Sequence, residues 1–179
     1  MAEKKLEGKK ILMVISPTQF RDEEFFEPKR ILEEDGATVV VASSSVRICR
    51  GMRGGFVNAG IAIADAKAED YSALVVCGGS AAPEYLWNEK KLQELAAQMA
   101  AGGKIVAAIC LSTVVLARAK LLAGKDATVY FLPQAIEELK SAGANYVKQP
   151  LVVSGNVITA EGPAQAAEFG NTIRAALAA

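Results

Sequence analysis

Apolar and polar positions alternate along this chain in blocks whose periods change, and the changes mark its elements. Lys10-Ile11-Leu12-Met13-Val14-Ile15 is continuously apolar after its lysine, the pattern of a parallel strand buried on both faces. It is expected at the centre of a sheet. From Asp22 the period lengthens: Phe25, Phe26, Ile31 and Leu32 recur at helical spacing among acids and bases, and Gly36 supplies a stop. "ATVVVAS" (37–43) and "ALVVCGG" (73–79) read as further strands. Between them, "RICRGMRGGFVNAGIAI" combines glycines with short alternations and predicts a hairpin projecting from the main sheet.

The second half repeats the pattern. Glu84 to Ala101 is helical in composition, "KIVAAI" is a strand, Ser112 to Leu122 a helix, "DATVY" a short strand and Ile136 to Ala142 a helix. "LVVSGNVITA" is a pair of strands around a Gly-Asn turn, and "AQAAEFGNTIRAALA" closes the chain as a helix. Repeated βα units with apolar strands imply an α/β fold, a three-layer sandwich with helices on both faces of a mainly parallel sheet and a small β-hairpin. Residues 1–179 are expected to form one domain, without repeat or linker.

Charge narrows the partners. Twenty basic residues balance twenty acidic ones, so no net field holds a polyanion by counterion release, and no nucleic acid partner is expected. The first residues, MAEKKLEGKK, are charged rather than apolar, and no run approaches the roughly 18 apolar residues of a membrane span. A soluble, cytoplasmic protein is expected. Cys49, Cys77 and Cys110 are widely spaced, with no CxxC and no histidine anywhere. Neither a metal site nor a disulfide framework is expected, and the thiols should be reduced.

In such a sheet ligands bind at the carboxyl ends of the strands. Three segments fall there: "PTQFRDEE", "CGGSAAPE" and "CLSTV". Cys110 sits at an abrupt strand-to-helix turn, where free amides and the positive end of a helix favour a thiolate, although cysteine is also a common core filler. Cys77 lies inside an apolar strand and reads as core. Cys49, between Arg47 and Arg50, reads as a surface thiol whose pKa those cations lower. The glycine pair 78–79 fits either a tight turn or a backbone N–H aimed at an oxyanion. Asp22, Glu23, Glu24 and Glu27 suit a helix start, and one of them buried near the strand ends would be a proton donor. No GxGxxG or P-loop occurs, and no cofactor is expected.

Together these segments resemble the DJ-1/PfpI (ThiJ/PfpI) superfamily, over nearly the whole chain. "FRDEEFFEPKRILEEDGATVVVAS" is similar to its first helix and second strand, "YSALVVCGGSAAPEYL" to its strand and GG turn, "KIVAAIC" with "LARAKLLAGKDAT" to its nucleophile elbow, and "GNVITAEGPAQAAEFGNTI" to its C-terminal signature. The resemblance implies a flavodoxin-like sandwich and a homodimer. It implies a reactive cysteine at Cys110, a hydrogen-bonding carboxylic acid at Glu24, and oxyanion amides at Gly79 and Leu111. PfpI-type members carry histidine directly after the cysteine, where this chain has Leu111. DJ-1-type members take one from a later strand, near Tyr130 here, which makes Tyr130 a pocket candidate. A cysteine peptidase needs both a base and an acid, so the missing imidazole disfavours peptidase activity. The resemblance then implies a stress-response protein with modest glyoxalase, deglycase or hydrolase chemistry on small reactive carbonyl compounds, or a redox sensor or chaperone in which an oxidant modifies Cys110.

Overall fold

The computed structural model describes residues 3–179, so the first two residues of the charged N-terminal stretch lie outside it. The chain runs β1 (Lys10–Val14), β2 (Thr18–Phe20), α1 (Asp22–Glu34), β3 (Thr38–Ser43), β4 (Arg47–Gly51), β5 (Phe56–Ala59), β6 (Ile61–Ala62) and β7 (Ala73–Val76). It continues through α2 (Ala82–Tyr85), α3 (Lys90–Ala101), β8 (Ile105–Ile109), α4 (Thr113–Arg118), β9 (Asp126–Ala127), α5 (Pro133–Ser141), β10 (Asn145–Tyr146), β11 (Leu151–Ser154), β12 (Val157–Ala160) and α6 (Ala166–Ala178).

Seven strands form the main sheet in the order β11-β12-β8-β7-β1-β3-β6, parallel except for the edge hairpin β11-β12. Apolar runs produce this directly: Ile11 to Ile15, Ala73 to Val76 and Val106 to Ile109 are all fully buried, which only a strand covered on both faces requires. Helices α1 and α6 pack together on one face, α1 against β3 and α6 against β12 and β8. Helix α3 packs against β7 and β8 and contacts α4, which leads on to α5. From β1 the chain steps to β3 on one side, while β7 and β8 add on the other. The direction of winding therefore reverses between β1 and β7, and the crevice at their carboxyl ends is the switch point.

Four expectations need adjustment. β1 is interior, but the middle strand of seven is β7. The helix read across 84–101 is two helices, because Trp87 turns inward to donate its indole N–H to the Leu111 carbonyl at 2.8 Å, and the Glu89 carboxylate caps α3 through Lys91 N. The helix read to Leu122 ends as α4 at Arg118, where Lys120 takes a φ of 64° and turns Leu122 into the core. The strand read over "DATVY" is only β9, paired with β10 outside the main sheet, because the Thr128 N–H turns to Thr159 Oγ1.

The projecting hairpin is β4-β5, and the unforeseen β2 joins it as a third strand. Its turn is tied to α1 by Asp22, whose two carboxylate oxygens accept the N–H groups of Arg53 and Gly55, each at 2.8 Å. Glycine is needed at this spot: a Cβ on Gly55 would lie 2.6 Å from the Asp22 carboxylate. No helix among the described residues is long and apolar enough to cross a membrane.

Candidate active site

The strand-end segments converge as the sequence implies. β8 leads directly into Cys110, which holds a φ of 62°. A side chain rarely occupies this left-handed region, at a cost of about 1–2 kcal/mol. Neighbours hold the turn: the Ser112 hydroxyl donates to the Cys77 carbonyl at 2.6 Å, the Trp87 indole to the Leu111 carbonyl, and the Tyr130 N–H to the Cys110 carbonyl at 3.3 Å.

Glu24 arrives from the other side. The 19–21 segment is zipped along the glycine pair by a bridge between Phe20 and Gly79 and by the Arg21 N–H donating to the Gly78 carbonyl at 3.0 Å. Helix α1 therefore starts above the turn, and its first inward position is Glu24, with no exposed surface. The Gly78 N–H donates to Glu24 Oε1 at 2.8 Å. Glu24 Oε2 is buried with no hydrogen-bond partner among the described residues, and the nearby Cys110 thiol favours the Glu24 anion.

Only glycine permits this meeting. A Cβ on Gly78 would lie 2.6 Å from both Cys110 Cβ and Glu24 Oε1, and one on Gly79 would lie 2.7 Å from Arg21 N. The backbone N–H groups of Gly79 and Leu111 lie near enough to the Cys110 sulfur to favour its thiolate.

Burial dominates the electrostatics. It raises the Glu24 carboxyl to about 8, although the Gly78 N–H and the thiol favour its anion. Glu24 is therefore mostly a neutral acid at pH 7. Burial likewise pushes the Cys110 thiol up, and a charge on Glu24 pushes it further, against the pull of the two amides. The expected thiolate-favouring geometry is thus present but outweighed by desolvation. Cys77 is buried and its thiol donates to the Glu24 carbonyl at 3.3 Å, so it is core, as read. Cys49 corrects the reading of a surface thiol: it is fully buried, and desolvation raises its pKa more than Arg47 lowers it.

A cavity of about 170 Å³ opens above the sulfur, lined by Arg21, Met52, Gly79, Ser80, Cys110, Leu111, Tyr130 and Pro163. Gly79, Leu111 and Tyr130 thus gather around Cys110, with Glu24 beneath them. Arg21, Met52 and Ser80 were not singled out from the sequence. Arg21 carried the one available signal, a cation directly ahead of the acidic helix start.

The DJ-1/PfpI family profile matches residues 9–176. The chain is 50% identical to the uncharacterized protein MJ0967 of Methanocaldococcus jannaschii over 92% of this chain and 80% of that one. It is 34% identical to the deglycase PYRAB04690 of Pyrococcus abyssi over 85% of this chain and 90% of that one. In three dimensions it resembles the ThiJ/PfpI domain protein of Brachyspira murdochii with a TM-score of 0.89 and 31% identity, covering 98% of each chain. With the family profile, the relatives and the fold in agreement, the chain belongs to the DJ-1/PfpI family.

Proposed function

We propose that this chain is a cysteine-centred stress-response protein with modest, cofactor-independent glyoxalase or deglycase chemistry on small reactive carbonyl compounds. The observation that carries the reading is the buried Glu24 carboxyl, its Oε2 without a partner among the described residues, packed with Cys110 around Gly78, while Cys110 itself lines a small cavity. A buried carboxyl raised to about 8 can exchange protons in both directions near neutrality.

The chemistry is as follows for a 2-oxoaldehyde. Cys110 Sγ bonds to the aldehyde carbon, the C=O π pair moves to oxygen, and the thiol proton passes through Glu24 to that oxygen, giving a hemithioacetal. Glu24, in its ionised fraction, then takes the proton from the former aldehyde carbon to give an enediol and returns it to the adjacent carbon. The hydroxyl proton on the first carbon's oxygen moves meanwhile to the neighbouring oxygen, which converts the adduct to a thioester. Water cleaves it to a 2-hydroxy acid and restores the thiol. The Gly79 and Leu111 amides, which face the sulfur at rest, are near enough to hold the transient oxyanion.

This sequence of steps uses one carboxyl and no imidazole, which suits a chain without histidine. Peptide hydrolysis needs a separate acid for the leaving amine, and Glu24 is the sole acid at the sulfur. The deglycase name of the Pyrococcus abyssi relative supports carbonyl chemistry. We place residues 1–179 in the cytoplasm as one domain of a homodimer, where free, buried thiols stay reduced.

The test is lactate formation from methylglyoxal. Wild type should turn over, Cys110→Ser should not, and Glu24→Gln should be slower by about 100-fold, the usual loss of a proton-transfer group. Absence of turnover that depends on Cys110 would rule the reading out.

A further inference from the structure

The cavity above Cys110 has one charged residue in its lining, Arg21, and no acid among the side chains that form its walls. Arg21 is held in place: Nε and Nη2 donate to Glu23 Oε2 at 3.0 and 2.8 Å. That fixes the guanidinium plane and uses two of its five N–H groups, and Nη1 makes no hydrogen bond among the described residues. The Glu23 carboxylate also faces a second cation, its buried Oε1 lying 4.0 Å from Arg53 Nε, so one carboxylate is shared by two guanidinium groups and neutralises Arg21 only in part. The Arg21 charge reaches both Cys110 and Glu24. Because Glu24 is mostly neutral at pH 7, Arg21 sets the sign of the field in the cavity.

From this we infer that Arg21 makes the pocket selective for small aldehydes and ketones that carry a carboxylate next to the reacting carbonyl. The inference rests on the carbonyl chemistry proposed for Cys110 and adds the substrate class. A planar guanidinium with free N–H groups matches a carboxylate in shape and charge. The cavity volume corresponds to about five or six water-sized positions. Glyoxylate and methylglyoxal have the same number of non-hydrogen atoms and both fit, but only glyoxylate offers Arg21 an anion. The adduct step is the one already described, addition of the thiol across the C=O bond with its proton delivered to oxygen, and nothing is oxidised.

Two alkylating reagents of one size isolate the charge effect. Iodoacetate and iodoacetamide are reacted with wild type, Arg21→Met and Arg21→Lys, and modification of Cys110 is followed by peptide mass spectrometry, each rate divided by that of glutathione. Wild type should favour iodoacetate, Arg21→Met should lower the iodoacetate-to-iodoacetamide ratio about tenfold, and Arg21→Lys should restore part of it. Glyoxylate should protect Cys110 at lower concentration than methylglyoxal in wild type, and lose that advantage in Arg21→Met. A general loosening of the fold would move both reagents together, not their ratio. A reactive Cys110 whose ratio is the same in wild type and Arg21→Met overturns this inference alone. A Cys110 inert to both reagents and protected by neither aldehyde overturns the carbonyl reading, and this inference with it.

Discussion

Gly78 and Glu24 are joined by one hydrogen bond, N–H to Oε1 at 2.8 Å, and that bond decides which carboxyl oxygen is left for Cys110. It holds Oε1, so Oε2 is the carboxyl oxygen left without a partner among the described residues. A contact this close between main chain and carboxylate needs a residue without a side chain.

Gly78→Ala should therefore damage both fold and site. Its methyl would lie 2.6 Å from Cys110 Cβ and Glu24 Oε1 and 2.8 Å from the Ile109 carbonyl, so fixed backbone as well as side chains must shift. The expected loss is about 1–3 kcal/mol, the usual cost of overpacking. Urea unfolding should show the lower midpoint, and Cys110 alkylation should change with it.

The rate of Cys110 alkylation should rise with pH through about 8. That is where Glu24 becomes a carboxylate able to accept the thiol proton, while the thiol itself is held protonated to higher pH. In Glu24→Gln this rise should vanish, leaving only the thiol's own rise further into alkali. An unaltered midpoint in the variant would separate the two groups. Stopped alkylation with iodoacetamide across pH 5 to about 10 measures it.

Glu24 also makes stability depend on pH. Its folded value, about 8, lies above its ordinary 4.5, so the folded state holds the proton more tightly than the unfolded chain. That contribution is whole below 4.5 and is lost as pH rises through about 8. Glu24→Gln, which has no charge to bury, should become the more stable protein by a few kcal/mol at and above pH 8. Below pH 4.5 the gap should close to the effect of one altered hydrogen bond. Denaturant unfolding of both proteins at several pH values gives the crossing.

Asp22→Ala should free the hairpin turn. Two hydrogen bonds from Arg53 and Gly55 to a carboxylate are lost, and bonds to charged groups are worth about 1.5–3 kcal/mol each when shielded, less at this partly exposed turn. We expect about 2 kcal/mol of destabilisation. Amide exchange at residues 53 and 55 should quicken more than in β1. Since Met52 lines the cavity, Cys110 should also become more accessible to alkylation.

Most of this architecture could be read from periodicity. The buried strands β1, β7 and β8 are continuous apolar runs, α1 has its 3–4 spacing, and the turns carry glycine. The strand-to-helix turn marks Cys110, whereas periodicity leaves four acids open at the helix start, and only the family resemblance singles out Glu24 among them. What escaped depended on distant contacts. Trp87 breaks a helical run because its indole finds the Leu111 carbonyl, and Gln19 takes a φ of 55° with no local sign of it. The raised thiol of Cys110 escaped for the same reason: amides at a helix start are local, whereas desolvation is the sum of everything packed above.

The groups that favour the Cys110 thiolate belong to the peptide bonds of Gly79 and Leu111. Alanine scanning leaves such groups untouched, so a scan of this pocket would credit Cys110 and Glu24 with work that the main chain shares. Replacing single amides by esters, at Gly79 and at Leu111 in turn, would reveal that hidden share directly.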